Sequence, residues 1–298
     1  MAKIVECVPN YSEGRDLEKI EKIVAPFKED TRIELLGVEP DGDYNRTVVT
    51  VMGEPEIVAE AVIRSIGIAA EVIDMNVHRG EHKRMGATDV VPFIPIKDMT
   101  VEECNELSKK VGKAVWERYQ VPIFLYENTA SAPNRVSLPD IRKGEYEGMK
   151  EKMLLPEWAP DFGERAPHPT AGVTAVGCRM PLIAFNINLD TADVEIAKKI
   201  AKAIRFSSGG FRYIQAGPAE IKEKGFVQVT MNIKDFKKNP IYRVFETVKM
   251  EAKRYGVNVT GSEIIGAVPM EAIVESLAYY LGVEDLGMNK ILESKLMK

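Results

Sequence analysis

Arg32-Ile33-Glu34-Leu35-Leu36-Gly37-Val38-Glu39-Pro40-Asp41-Gly42-Asp43-Tyr44-Asn45-Arg46-Thr47-Val48-Val49-Thr50-Val51-Met52 is the stretch on which the fold turns. Arg32 to Glu39 and Asn45 to Met52 read as two strands around a hairpin-like turn at Pro40-Asp41-Gly42-Asp43. A helix flanks the pair on each side. Upstream, Asp16 can cap a helix whose apolar face is Leu17, Ile20, Ile23, Val24 and Phe27; downstream, Pro55 opens a second helix running to about Ile73. Farther out, Lys3 to Val8 alternates as a strand and ends in the turn formers Pro9 to Gly14. Val90 to Ile96 is the next strand, and its two prolines suit an edge or an irregular end. The order is β-α-β-β-α-β, the split βαβ or ferredoxin-like arrangement. A helix from about Val101 to Tyr119 and a strand from Val121 to Tyr126 extend it.

The same order returns in the second half. Leu182 to Leu189 reads as a strand, Thr191 to Ile204 as a helix, Phe211 to Ala216 and Phe226 to Asn232 as strands. Ile241 to Tyr255 follows as a helix, Val257 to Thr260 as a strand, and a last helix begins near Pro269. The expectation is an α/β (α+β) protein of two ferredoxin-like split βαβ subdomains, residues 1–180 and 181–298, with a ligand cleft between or across them. From Asn128 to Gly177 the chain is rich in Pro, Gly and charge and poor in periodic segments, which suits either a linker or a ligand loop.

A chain of 298 residues with 45% hydrophobic residues can bury a substantial core. Its net charge of −5, with acidic and basic residues mixed throughout, argues against a nucleic-acid or anionic-membrane surface. No apolar run approaches the roughly 18 residues of a membrane span, and charge breaks the N-terminus at once. Cys7, Cys104 and Cys178 are odd in number and unpaired in spacing, which suits reduced thiols in a cytoplasm.

Histidine is scarce: the chain has 3, and two lie in His78-Arg79-Gly80-Glu81-His82. An imidazole gains and loses a proton near neutral pH, so His82, set among charges between a helix and a strand, is a candidate acid/base. The bland alternative is an exposed loop histidine. The segment also matches H-x-x-E-H, but zinc ligation needs both imidazoles on one helical face, and Gly80 interrupts it; no metal is expected. Arg46, Arg79, Lys83 and Arg84 are either surface charges or, if they converge on His82, receptors for an acidic small molecule. Asn10 and Asn45 can reach a ligand or merely fix turns, and Glu39 and Asp41 can orient a histidine or a substrate amine. Ser207-Ser208-Gly209-Gly210 is no P-loop and reads as a helix stop.

Six segments carry a resemblance that spans the chain: 5–14, 45–48, the long block from Gly80 to Pro95, 144–147, 158–163 and Leu182 to Leu189. Through them the sequence resembles the formiminotransferase domain family. The resemblance implies transfer of a formimidoyl group between N-formimidoyl-L-glutamate and tetrahydrofolate, by a cytoplasmic, typically dimeric protein with small-molecule substrates and a groove for folate. The family's acid/base histidine falls on His82. Its folate-binding loop falls on Gly163, Glu164, Arg165, Ala166, Pro167, His168, Pro169, Thr170, Ala171 and Gly172. Asn10, Glu39, Arg46 and Arg84 become candidate substrate contacts. Glu39 stands where animal members carry aspartate, and Glu164 to Pro169 departs from their loop pattern. A fused cyclodeaminase, present in animal members, is not expected here. A glutamate formyltransferase using 5-formyltetrahydrofolate and a non-catalytic folate-binding protein are the rival readings.

Overall fold

The alternating and helical periods form the elements they imply, in a computed structural model that describes residues 2–221 and 224–295. The chain divides into two units, Met1–Arg179 and Met180–Lys298. The first contains β1 (Ile4–Cys7), β2 (Asn10–Tyr11), α1 (Leu17–Lys28), β3 (Ile33–Asp41), β4 (Arg46–Gly53), α2 (Pro55–Val72), β5 (Thr88–Lys97), α3 (Val101–Tyr119), β6 (Ile123–Leu125), α4 (Leu138–Arg142), α5 (Glu145–Lys152) and β7 (Thr174–Cys178). Asp16 caps α1, accepting from the N–H groups of Glu18 and Lys19, and Thr100 with Glu103 forms a capping box on α3.

Across the sheet the strands run β3, β4, β1 with β2, β5, β7, β6. The first four positions are antiparallel and place the chain's first strand between β4 and β5, the order of a split βαβ unit. β7 then pairs parallel to both β5 and β6. On β1 and β4 burial alternates, so one face closes against α1, α2 and α3 while the other stays half-buried. β7 is buried at every residue, because Ile141 of α4, Met149 of α5 and Met153 just beyond it cover its second face.

Two differences from the sequence reading have physical reasons. β5 is interior, not an edge: Pro92 lies where β1 breaks before β2, its carbonyl accepting from Val8, and Pro95 lies beside a bulge at Ile4/Val5. The stretch from Asn128 to Gly177 holds two short helices and the buried strand β7. These helices are too short to announce themselves by period, and their stability comes from packing.

The second unit repeats the order as β8 (Ile183–Leu189), α6 (Val194–Ile204), β9 (Ile214–Ile221), β10 (Phe226–Ile233), α7 (Ile241–Lys253), β11 (Val259–Ile265) and α8 (Met270–Leu281). Its sheet order, β11-β8-β10-β9, is antiparallel throughout and again puts the first strand between the third and fourth. β9 and β11 begin and end later than their patterns suggest. Among the described residues, no helix is long and apolar enough to cross a membrane.

A buried hydroxyl chain ties the first sheet to two helices. Ser65 on α2 donates to the Ile23 carbonyl of α1 at 2.6 Å, so the Tyr11 hydroxyl, 2.7 Å away, must be the donor to Ser65. Ser65→Ala therefore strands a buried phenol and should destabilise this unit by about 1–3 kcal/mol, whereas Tyr11→Phe removes the needy group and should cost less. Urea unfolding followed by tryptophan fluorescence tests the asymmetry, since Trp116 and Trp158 both lie in this unit.

Candidate active site

The hairpin of β3 and β4 positions His82. Glu81 and His82 donate their N–H groups to the carbonyls of Asp43 (3.3 Å) and Tyr44 (3.4 Å) at the hairpin tip. Gly80 passes so close that a Cβ there would lie 2.3 Å from the Tyr44 oxygen, so only glycine fits. Asn45, held at φ 49°, locks the approach: its amide donates to the Arg79 carbonyl and its Oδ1 accepts from Gly14. The segment from Asp74 to Gly86 is turn and irregular chain, not helix.

The two histidines differ in what they touch. His78 is buried; its Nε2 donates to the Asn45 carbonyl at 2.9 Å, and its Nδ1 accepts from Arg84 Nε at 3.4 Å. Both ring nitrogens are engaged, and no cluster of three potential metal-ligating side chains occurs among the described residues. His82 is half-buried, and no hydrogen bond to its ring occurs among the described residues. Burial, then the charges of Arg142, Arg46, His78 and Arg84, push it down to about 3. The imidazole is thus neutral at physiological pH.

Three arginines make this field, each with different partners. Arg84 is buried and paired with Glu145 (3.1 Å) and, in bidentate fashion, with Glu147 (2.9 and 2.8 Å). Arg142 grips the buried Asp89 through Nε at 2.8 Å and through Nη2. Burial pushes the Asp89 carboxyl up, against the pull of Arg142 and of the Met85 N–H, which donates to it at 2.8 Å. Arg46 has no carboxylate partner among the described residues. Its Nη1 makes a long 3.5 Å contact with Asn10 Oδ1, it lies over the Tyr44 ring, and its buried Nε donates to nothing.

Asn10, Glu39 and Arg46 share one face of the sheet. Glu39 pairs with Val48 and Val48 with Asn10, so these three point the same way, and Arg46 lies two residues from Val48. Arg84, by contrast, is committed to its two glutamates.

The loop from Gly163 to Gly172 is anchored at both ends. Before it, Asp161 accepts from Arg135 (2.6 Å) and from the Leu125 N–H, and the Phe162 carbonyl accepts from Ile123. At its end, His168 and Gly172 exchange backbone hydrogen bonds, and His168 Nδ1 accepts from the Ala171 N–H at 3.0 Å. Burial lowers the pKa of His168. The Thr170 carbonyl accepts from Met75, the Ala171 carbonyl from Ala87, and the Pro169 carbonyl from the Asn76 side chain. Residues 168–172 therefore lie against the segment that carries His82. Glu164, Arg165 and Ala166 are exposed.

Asp89, Arg142, Glu145 and Glu147 had no role in the sequence reading. The acidic and basic partners are more than 50 positions apart, and nothing in local pattern pairs them. A cavity of about 690 Å³ opens on α4 and α5, lined in part by Lys143, Lys152 and Trp158; neither His82 nor Arg46 borders it. In the second unit, Asn186, Asn188, Gln228 and Glu263 form a hydrogen-bonded amide–carboxylate row on the sheet face away from α6 and α7.

Residues 4–179 match the family model for the formiminotransferase domain, N-terminal subdomain, and residues 184–297 that for the formiminotransferase domain. The chain is 51% identical to the glutamate formimidoyltransferase of Streptococcus pyogenes, over 100% of both chains. It is 41% identical to the glutamate formimidoyltransferase of Thermoplasma acidophilum, over 99% of this chain and 98% of that protein. Against the formimidoyltransferase-cyclodeaminase of Mus musculus it is 40% identical over 96% of this chain and 54% of the relative.

Because His82 in the folded protein sits below the 6.5 of an ordinary imidazole, folding opposes its protonation. The associated stability is complete above about pH 6.5 and is lost as pH falls toward about 3. His82→Gln should flatten that decline, read as a smaller loss of urea stability between pH 6.5 and 4.5 than in the unsubstituted protein.

Proposed function

The chain belongs to the formiminotransferase domain family, and from that we propose that it is a transferase moving a formimidoyl group between N-formimidoyl-L-glutamate and tetrahydrofolate, with His82 as acid and base. The observation that carries this reading is a neutral imidazole under the charge of Arg46, a guanidinium whose buried Nε has no hydrogen-bond partner and which makes no salt bridge among the described residues. Tetrahydrofolate, when bound, supplies the secondary amine that takes up the formimidoyl carbon. His82 accepts the proton released there and returns it to the departing nitrogen of glutamate. Arg46, with its unpartnered Nε, receives a carboxylate of the glutamate, and Asn10 and Glu39 line the same sheet face. The loop from Gly163 to Gly172 flanks the pterin-bearing substrate.

The electrostatics support an order to these events. Burial is the first cause holding the His82 imidazole at about 3, and the charges of Arg142, Arg46 and Arg84 add to it. The two carboxylates of the substrate, arriving among these arginines, offset that charge contribution and make His82 a stronger base when the substrate is present. The three buried free thiols suit a reducing cytoplasm.

His82→Ala should lower kcat by about 10² to 10⁴-fold with tetrahydrofolate still bound, measured by product formation and by equilibrium binding. Unaltered turnover would sink the assignment, and transfer of formyl in place of formimidoyl would redirect the substrate reading. Arg46→Met should raise KM for N-formimidoyl-L-glutamate more than it lowers kcat. The ascending pKa of kcat should lie above that of kcat/KM, because the former reports His82 with the substrate's charge in place.

A further inference from the structure

Outside the site, one lysine is surrounded in a way that its length and charge alone do not require. Lys152, the last residue of α5, donates from Nζ to the carbonyls of Asp140 (2.7 Å), Ile141 (2.7 Å) and Lys143 (3.1 Å), and its ammonium lies 3.8 Å from the centre of the Trp158 ring. All three of its donors are used. The carbonyls it binds are those of the last turn and C-cap of α4, a helix of 5 residues with no stability of its own, and Asp140's also accepts from the Lys143 N–H. The residue between them is Arg142. The next residues turn sharply, with Gly144 at φ 95° and Glu145 at φ 54°, and lead into Glu147. One turn thus carries the cation nearest in effect to His82 and the two carboxylates that neutralise Arg84.

We infer that Lys152 is a positioning residue for the reaction: by clamping the end of α4 it holds Arg142 on Asp89, whose carboxylate also accepts from the Met85 N–H in the segment that carries His82. This rests on the acid/base reading of His82 given above. Burial lowers Lys152 to about 8, which still leaves a three-donor ammonium at neutral pH. A lysine in a purely structural cap would matter to stability only. Here the carbonyls it holds bracket an arginine whose charge heads those acting on the imidazole.

The test reads His82 directly, by NMR titration of its ring in the substrate-free protein. Lys152→Met should raise the His82 pKa by about one unit or more, and Arg142→Met should raise it likewise. Lys152→Arg, which keeps charge and donors, should stay close to the unsubstituted value. Arg46, Arg84 and His78 remain in all three variants, as do Asp89, Glu145 and Glu147, so a rise is attributable to Arg142 losing its place. An unchanged titration in Lys152→Met beside a shifted one in Arg142→Met overturns the proposal while leaving the catalytic reading intact. No shift in either overturns both the clamp and its electrostatic basis, whereas full turnover in His82→Ala fells the catalytic reading alone. Should Lys152→Met not fold, Trp158→Leu removes only the ring face; a smaller rise supports the clamp and an unmoved titration refutes it.

Discussion

The buried carboxylate of Asp89 is the constraint on which the first unit's chemistry rests. It is almost fully enclosed, at 1% exposure, and joins three pieces of chain: its own strand, the Met85 N–H before it, and Arg142 from a helix 53 positions away. Most ion pairs here, such as Lys28 with Glu21, lie in solvent and contribute about 0–1 kcal/mol. Removing one partner from a buried pair costs on the order of 3–5 kcal/mol, because a charge is left without water or counter-ion. The pair is therefore less a source of net stability than a fixed point: given Asp89, Arg142 has one place to be.

That fixed point explains an arrangement that is costly on its own terms. Positive charge gathered around a half-buried imidazole works against protonation, and two of the three guanidiniums are already balanced by carboxylates. The third, Arg46, is left with an amide oxygen and a ring face. Under the proposed function, a region that leaves one cation without a salt bridge in an otherwise paired cluster discriminates by charge before it discriminates by shape.

Much of this was legible in the sequence, for identifiable reasons. The hairpin between two helices was readable because β-branched alternation and a Pro-Asp-Gly turn are local signals, and it implied the β-α-β-β-α-β order found in both units. His82 stood out through the rarity of its type and the glycine and charge around it. β7 escaped because Thr174 to Cys178 is short and buried on both faces, so it has no alternation to detect. The interior position of β5 escaped because its prolines fall at a strand break and a bulge in the partner, which only the pairing register discloses. Arg142 could not have been found: its partner is set by tertiary contact, and its own helix is shorter than two turns.

The anchoring of the loop near His82 limits how far it can move. Between Phe162, bonded to Ile123, and His168, bonded to Gly172, only Gly163 to Pro167 is without backbone ties. Even fully extended, an arc of that length spans roughly 17 Å, at 3.3–3.6 Å per residue, and with both feet tethered its tip travels less than half of that. Under the proposed function, this short arc is a rim tethered at both feet beside His82, so a substrate has to fit past it rather than sweep it aside.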